Sequence, residues 1–125
     1  MASTAPRRLA QIAIVVEDIE RAKAFYRDVL GLAWIADAPP SLSFFQCGET
    51  RLMLSPAEGP ETRGSSILYY DVEDVAAAHE AMAAKGVAFL QEPHVVGRLG
   101  DKDVILAICR DSEGNLLGLM SERPA

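Results

Sequence analysis

A chain of 125 residues, half of them hydrophobic, suits one globular unit, and halves of about 60 residues are marginal folds on their own. Eighteen acidic side chains against twelve basic ones give a formal charge of -6, with the basic residues scattered, which excludes the concentrated positive surface that nucleic acid requires. Cys47 and Cys109 lie far apart with no Cys-x-x-Cys spacing, so the expectation is two reduced core thiols and no disulfide frame.

From the N-terminus, Leu9 to Val16 is rich in Ile and Val, is interrupted by Gln11, and reads as a buried strand. The run is too short, and too quickly followed by Glu17, Asp18 and Glu20, for a secretory or membrane-spanning segment. The expectation is a cytoplasmic protein with no membrane partner. Asp18 offers an N-cap, Ile19, Ala22, Tyr26, Val29 and Leu30 recur near helical spacing, and Gly31 supplies the stop. Residues 32–36, 41–47 and 51–55 then read as a small antiparallel meander, divided by Pro39-Pro40 and by Gly48-Glu49-Thr50.

Residues 56–64, rich in Pro, Gly and charge, read as a linker, and from 65 the same order begins again. Strands are expected at 67–72, 87–90, 102–109 and 115–121, with a helix at 74–84 capped by Asp74 and ended by Gly86. Asp111-Ser112-Glu113-Gly114-Asn115 has the wrong spacing for a calcium loop and reads as a hairpin turn with Gly and Asn at positive φ. Val16-Glu17-Asp18-Ile19, running to Leu30-Gly31-Leu32, returns as Val72-Glu73-Asp74-Val75, running to Lys85-Gly86-Val87. One small module is written twice, and two such modules must dock to bury their apolar faces, with a ligand seat at the seam. The expected class is α+β within a single domain, 1–125: tandem βαβββ modules at 8–55 and 65–122, forming a curved mixed sheet with a concave cup and the helices outside.

Strand alternation assigns faces. Ile12, Ile14 and Val16 pack beneath the first helix, and Leu68, Tyr70 and Val72 beneath the second, which turns Gln11, Ile67 and Tyr69 toward the cup. Leucines flank Met53 and Gly118, so these two face the cup, with Arg51, Met120 and Glu122 near the same surface. Trp34 and Tyr69 are candidates for stacking on a flat ligand, as is one of Phe44 and Phe45. Arg51 is a candidate partner for a ligand carboxylate or phosphate, with a solvated edge arginine as the plain alternative. His94 is expected in a loop at the cup mouth and, with Glu122, is a weak candidate for moving a proton. His79 is expected on the solvent flank of the second helix with no role.

The pattern Ile14-x-Val16-x-Asp18-x-x-x-Ala22-x-x-Phe25-Tyr26-x-x-Val29-Leu30-Gly31-Leu32, with Asp111-x-x-Gly114-Asn115 near the end, resembles the vicinal oxygen chelate superfamily of glyoxalases, bleomycin-resistance proteins, methylmalonyl-CoA epimerases and extradiol dioxygenases. The resemblance runs from about residue 8 to residue 122. It implies four metal-ligand positions, usually His, Gln or Glu, one each from the first and last strands of both modules. Matched on the Val-x-Asp signature, they fall at Gln11, Met53, Ile67 and Gly118, where Gln11 alone retains a ligand chemistry for a hard divalent ion.

The resemblance therefore implies a small-molecule-binding protein of the bleomycin-resistance type without the usual metal centre and with no cofactor. Its ligand would be apolar or aromatic, held by Gln11, Trp34, Arg51, Met53, Ile67, Tyr69, Gly118 and Met120. The alternative is a metal-dependent lyase, epimerase or dioxygenase with a rearranged ligand set that recruits Gln11, His94 and Glu122, or Glu49, around a divalent metal. A third reading is an interaction subunit whose cup is filled by its own side chains. Relatives that build cups across subunits imply a homodimer.

Overall fold

A computed structural model describes residues 8–57 and 66–125. The chain divides into two compact units, Met1–Gly64 and Ser65–Ala125. Of the expected linker, residues 58–64 lie outside the described residues, as does residue 65, where the second module was expected to begin.

Unit one runs β1 (Gln11–Val15), α1 (Ile19–Ala24), β2 (Ala33–Ala38), β3 (Leu42–Cys47) and β4 (Thr50–Ser55). Its sheet has the order β1-β4-β3-β2, in which β1 lies parallel to β4 and the remaining neighbours are antiparallel. Asp18 caps α1 by accepting a hydrogen bond from the Arg21 backbone at 3.1 Å, an interaction worth about 1 kcal/mol. The helix then widens into a π-helical turn, Phe25–Val29, closed by Leu30 N donating to Phe25 O at 2.9 Å. Adjacent Phe25 and Tyr26 are both buried, in edge contact at 5.3 Å, and Tyr26 meets Phe45 of β3 at 6.3 Å. Gly31, at φ 86°, ends the turn where a side chain would be strained.

The core of unit one follows the alternation. Ile14, Val16, Phe45, Leu52 and Leu54 are buried, while Gln11, Ala13, Phe44, Arg51 and Met53 stand on the other face. Complete burial contributes about 1.5–3 kcal/mol for each large apolar side chain.

Unit two runs β5 (Leu68–Asp71), α2 (Val75–Ala84), β6 (Phe89–Leu99), β7 (Lys102–Arg110) and β8 (Leu116–Pro124), with the sheet order β5-β8-β7-β6. Here β5 pairs parallel with β8, the same arrangement as in unit one. Asp74 caps α2 through Ala77 N at 3.1 Å. The strand expected at 87–90 is instead the eleven-residue β6, which continues through Pro93 with three register shifts. An edge strand tolerates proline because one row of its backbone N–H groups has no partner to serve. His79 is half-buried with its ring 4.4 Å from Phe89, so the solvent-flank expectation is corrected: the first residue of β6 packs against it.

The turn before β8 is built on buried Asp111. Its Oδ1 accepts from Glu113 N and Asn115 N, both at 2.8 Å, and Oδ2 accepts from the Asn115 amide at 3.0 Å. Gly114 takes φ 85°, but no residue other than glycine has a positive φ among the described residues. Asn115 thus serves as a hydrogen-bond partner instead of a left-handed corner.

Tyr69 pairs with Gly118 across β5 and β8, and a Cβ on Gly118 would lie 2.5 Å from the Tyr69 ring and 3.2 Å from Ile108. The glycine is therefore a seat for the ring. Gly118→Ala should cost about 1 kcal/mol or more in chemical denaturation, and under about 0.5 kcal/mol in a Tyr69→Ala background. Equal costs in both backgrounds would contradict the contact.

Burial raises the Cys47 thiol, and burial together with the negative charge of Asp111 pushes Cys109 up to about 11. Between the ordinary thiol value of 9.0 and about 11, the unfolded chain has lost the Cys109 proton while the native chain keeps it, so stability falls as pH rises. Urea melts across that window should show a shallower fall in Cys109→Ala than in the parent chain. Parallel slopes would contradict the burial argument.

Candidate functional site

On the face of unit one opposite α1, the parallel register places Gln11 beside Arg51 and Ala13 beside Met53. Phe44 lies across from Met53 in the antiparallel pair. Arg51 Nε donates to Gln11 Oε1 at 2.6 Å, while Gln11 Nε2 donates to the Met53 sulfur at 3.8 Å. The Arg51 guanidinium stands 5.5 Å from the centre of the Phe44 ring, within cation–π range. These side chains and Ile35 line a hollow of about 370 Å³.

Ile35 holds the place expected for Trp34. A register shift between Trp34 and Ala36 breaks the alternation, and Trp34 pairs with Phe45, a residue of the helix-covered face. Its Nε1 donates to Asp37 Oδ1 at 3.1 Å and to Ser43 Oγ at 3.2 Å, and Lys23 of α1 lies 5.0 Å from the ring. Asp37 gathers this cluster, accepting from Lys23 at 2.6 Å and from Ser43 at 2.8 Å. Those partners hold its carboxyl below the usual range, the Lys23 bond foremost. Trp34 thus stands on the face that carries Phe45, among Asp37, Ser43 and Lys23.

In unit two, Tyr69 lies about half exposed over buried Gly118, and Ile67 is half-buried just before β5. Met120 is half-buried opposite Leu106. His94 was expected in a loop, but it stands within β6, paired with Leu106. Its Nδ1 donates to the Glu92 carbonyl at 2.7 Å, since a carbonyl only accepts. Glu122 lies on β8 opposite Val104. Both border a hollow of about 610 Å³ beneath the first turn of α2, together with Asp74, Ile105 and Ser121. The two weak proton-transfer candidates are thus brought to one hollow. Sequence alternation could not find this meeting, because it depends on β6 continuing beyond Leu90.

The four positions that the family resemblance assigns to metal ligands do not fit a hard divalent ion. The Gln11 oxygen already holds a guanidinium, whose positive charge opposes a cation there. Met53 offers a soft thioether, Ile67 a hydrocarbon, and Gly118 no side chain, with the space above it taken by Tyr69. Among the described residues, no three His, Cys, Asp or Glu side chains gather into a group that could hold a metal ion. No described helix is long and apolar enough to cross a membrane.

The chain is 33% identical over 97 residues to the uncharacterized protein YetH of Bacillus subtilis, spanning 70% of this chain and 80% of that one. It is 30% identical to the mitochondrial methylmalonyl-CoA epimerase of Mus musculus, over 90% of this chain and 71% of the epimerase. The crystal structure of TnmS3, an antibiotic binding protein from Streptomyces sp. CB03234, superposes with a TM-score of 0.77 at 25% identity, over 98% of this chain and all of that one. The tandem βαβββ order and the match of residues 8–119 place the chain in the Glyoxalase/Bleomycin resistance protein/Dioxygenase superfamily.

Proposed function

We propose that this chain is a small-molecule-binding protein that holds an apolar or aromatic ligand without a divalent metal. The observation that carries the reading is the Arg51–Gln11 hydrogen bond, which spends the one retained ligand oxygen on a fixed cation of the chain itself. The hollow of about 370 Å³ beside it lies in the usual size range of ligand sites and is walled by Phe44, Ile35 and Met53. Tyr69, about half exposed beside Gly118, offers a second aromatic side chain. The likeness to an antibiotic binding protein supports a function that needs affinity alone. A cytoplasmic location and a homodimer belong to the same proposal, and exposed Leu90, Val95, Val96 and Leu99 along edge strand β6 support self-association.

The likeness to an epimerase, and the hollow bordered by both His94 and Glu122, favour a second reading: an enzyme that moves a proton. Methylmalonyl-CoA in heavy water separates the two. Binding alone leaves exchange of the α-hydrogen at the uncatalysed rate, whereas accelerated exchange that is lost in Glu122→Gln would establish the enzyme.

Protein purified without chelators should carry less than about 0.1 equivalent of divalent metal, and added zinc, nickel, iron or manganese should leave its Tm unchanged. One tightly held ion per chain, with a metal-dependent rise in Tm, would contradict the metal-free site.

A further inference from the structure

We infer that the hollow of unit one takes an apolar or aromatic acid, whose carboxylate binds the guanidinium of Arg51. This rests on the reading of that hollow as a ligand site and adds the charge and functional group of the ligand.

Arg51 is the one charged residue among those lining the hollow; Gln11, Ile35, Phe44 and Met53 are neutral. In a chain with eighteen acidic residues against twelve basic ones, Lys23 pairs with Asp37, Arg27 with Asp28 and Arg98 with Asp103, while Arg8 and Arg110 donate to the backbone carbonyls of Glu49 and Gly114. Among the described residues Arg51 has no carboxylate partner, and its Nε bonds only the neutral oxygen of Gln11. The Gln11 bond and the Phe44 ring 5.5 Å away hold the guanidinium from two sides, so little side-chain freedom is left to lose on binding. With Nε engaged, the two terminal nitrogens remain to grip an oxygen pair in the forked geometry that suits a carboxylate.

One guanidinium balances one negative charge. A doubly charged phosphate would bring an unmatched charge to a protein already at -6. The apolar remainder of the ligand has Phe44, Ile35 and Met53 to lie against, and about 370 Å³ accommodates one or two rings.

Calorimetric titration of the full chain with naphthoate, neutral naphthalenemethanol and naphthyl phosphate at low salt tests the assignment. Naphthoate should bind about tenfold or more tightly than the alcohol, as expected for a charge-assisted hydrogen-bond pair. Arg51→Gln should remove that preference, bringing acid and alcohol within about twofold of each other, whereas Arg51→Lys should retain part of it. Circular dichroism melts establish that the variants fold, and if Arg51→Gln does not, the parent chain and Arg51→Lys decide. Equal binding of acid and alcohol by the parent chain, or a preference that survives Arg51→Gln, overturns the inference and leaves the apolar site standing. Tighter binding of naphthyl phosphate than naphthoate also overturns it. Binding of none of the probes overturns both the inference and the reading beneath it.

Discussion

The hydrogen bond from Arg51 Nε to Gln11 Oε1, 2.6 Å long, sets what unit one can hold. It exists because β1 and β4 run parallel, which puts residues of like parity side by side and seats a guanidinium against an amide oxygen. Three consequences follow from that contact. The oxygen is withdrawn from any metal, a permanent positive charge stands at the edge of the hollow, and the guanidinium is held over the Phe44 ring. Each is a property of two side chains on rigid strands, so none needs a conformational change to appear.

The second unit reaches a related end by another route. Glycine at position 118 leaves room for the Tyr69 ring, which any larger residue there would meet. The position that the family pattern assigns to a metal ligand is thereby turned into an aromatic platform. A ring, a thioether and a hydrocarbon at these positions are chemically matched to apolar surface and not to hard cations.

Much of the fold was legible because local chemistry dictated it. Asp18 and Asp74 cap the helices where expected, Gly31 and Gly86 stop them, and alternation correctly divided Leu52 and Leu54 from Met53, and Leu117 and Leu119 from Gly118. Alternation fails wherever a residue is inserted. The shift between Trp34 and Ala36 reverses the faces of β2, which moved Trp34 to the helix side and put Ile35 in its place. The strand expected to stop at residue 90 continues past Pro93 as the edge strand β6 and carries His94 with it. The π-helical turn that buries Phe25 and Tyr26 together leaves no mark in a spacing read at 3.6 residues. Gln11 and Arg51 were both assigned to the right face, but their bond could be seen only once β1 was known to lie beside β4.

The claim beneath the whole account is that a guanidinium occupies the place where relatives of this fold would gather metal ligands. A crystal structure of protein grown with zinc, nickel and iron salts, with anomalous difference maps at each absorption edge, measures it directly. The account predicts Arg51 Nε within hydrogen-bond distance of Gln11 Oε1 and no anomalous peak beside that oxygen. A peak about 2.0–2.2 Å from Gln11 Oε1, with Arg51 turned away, would contradict it.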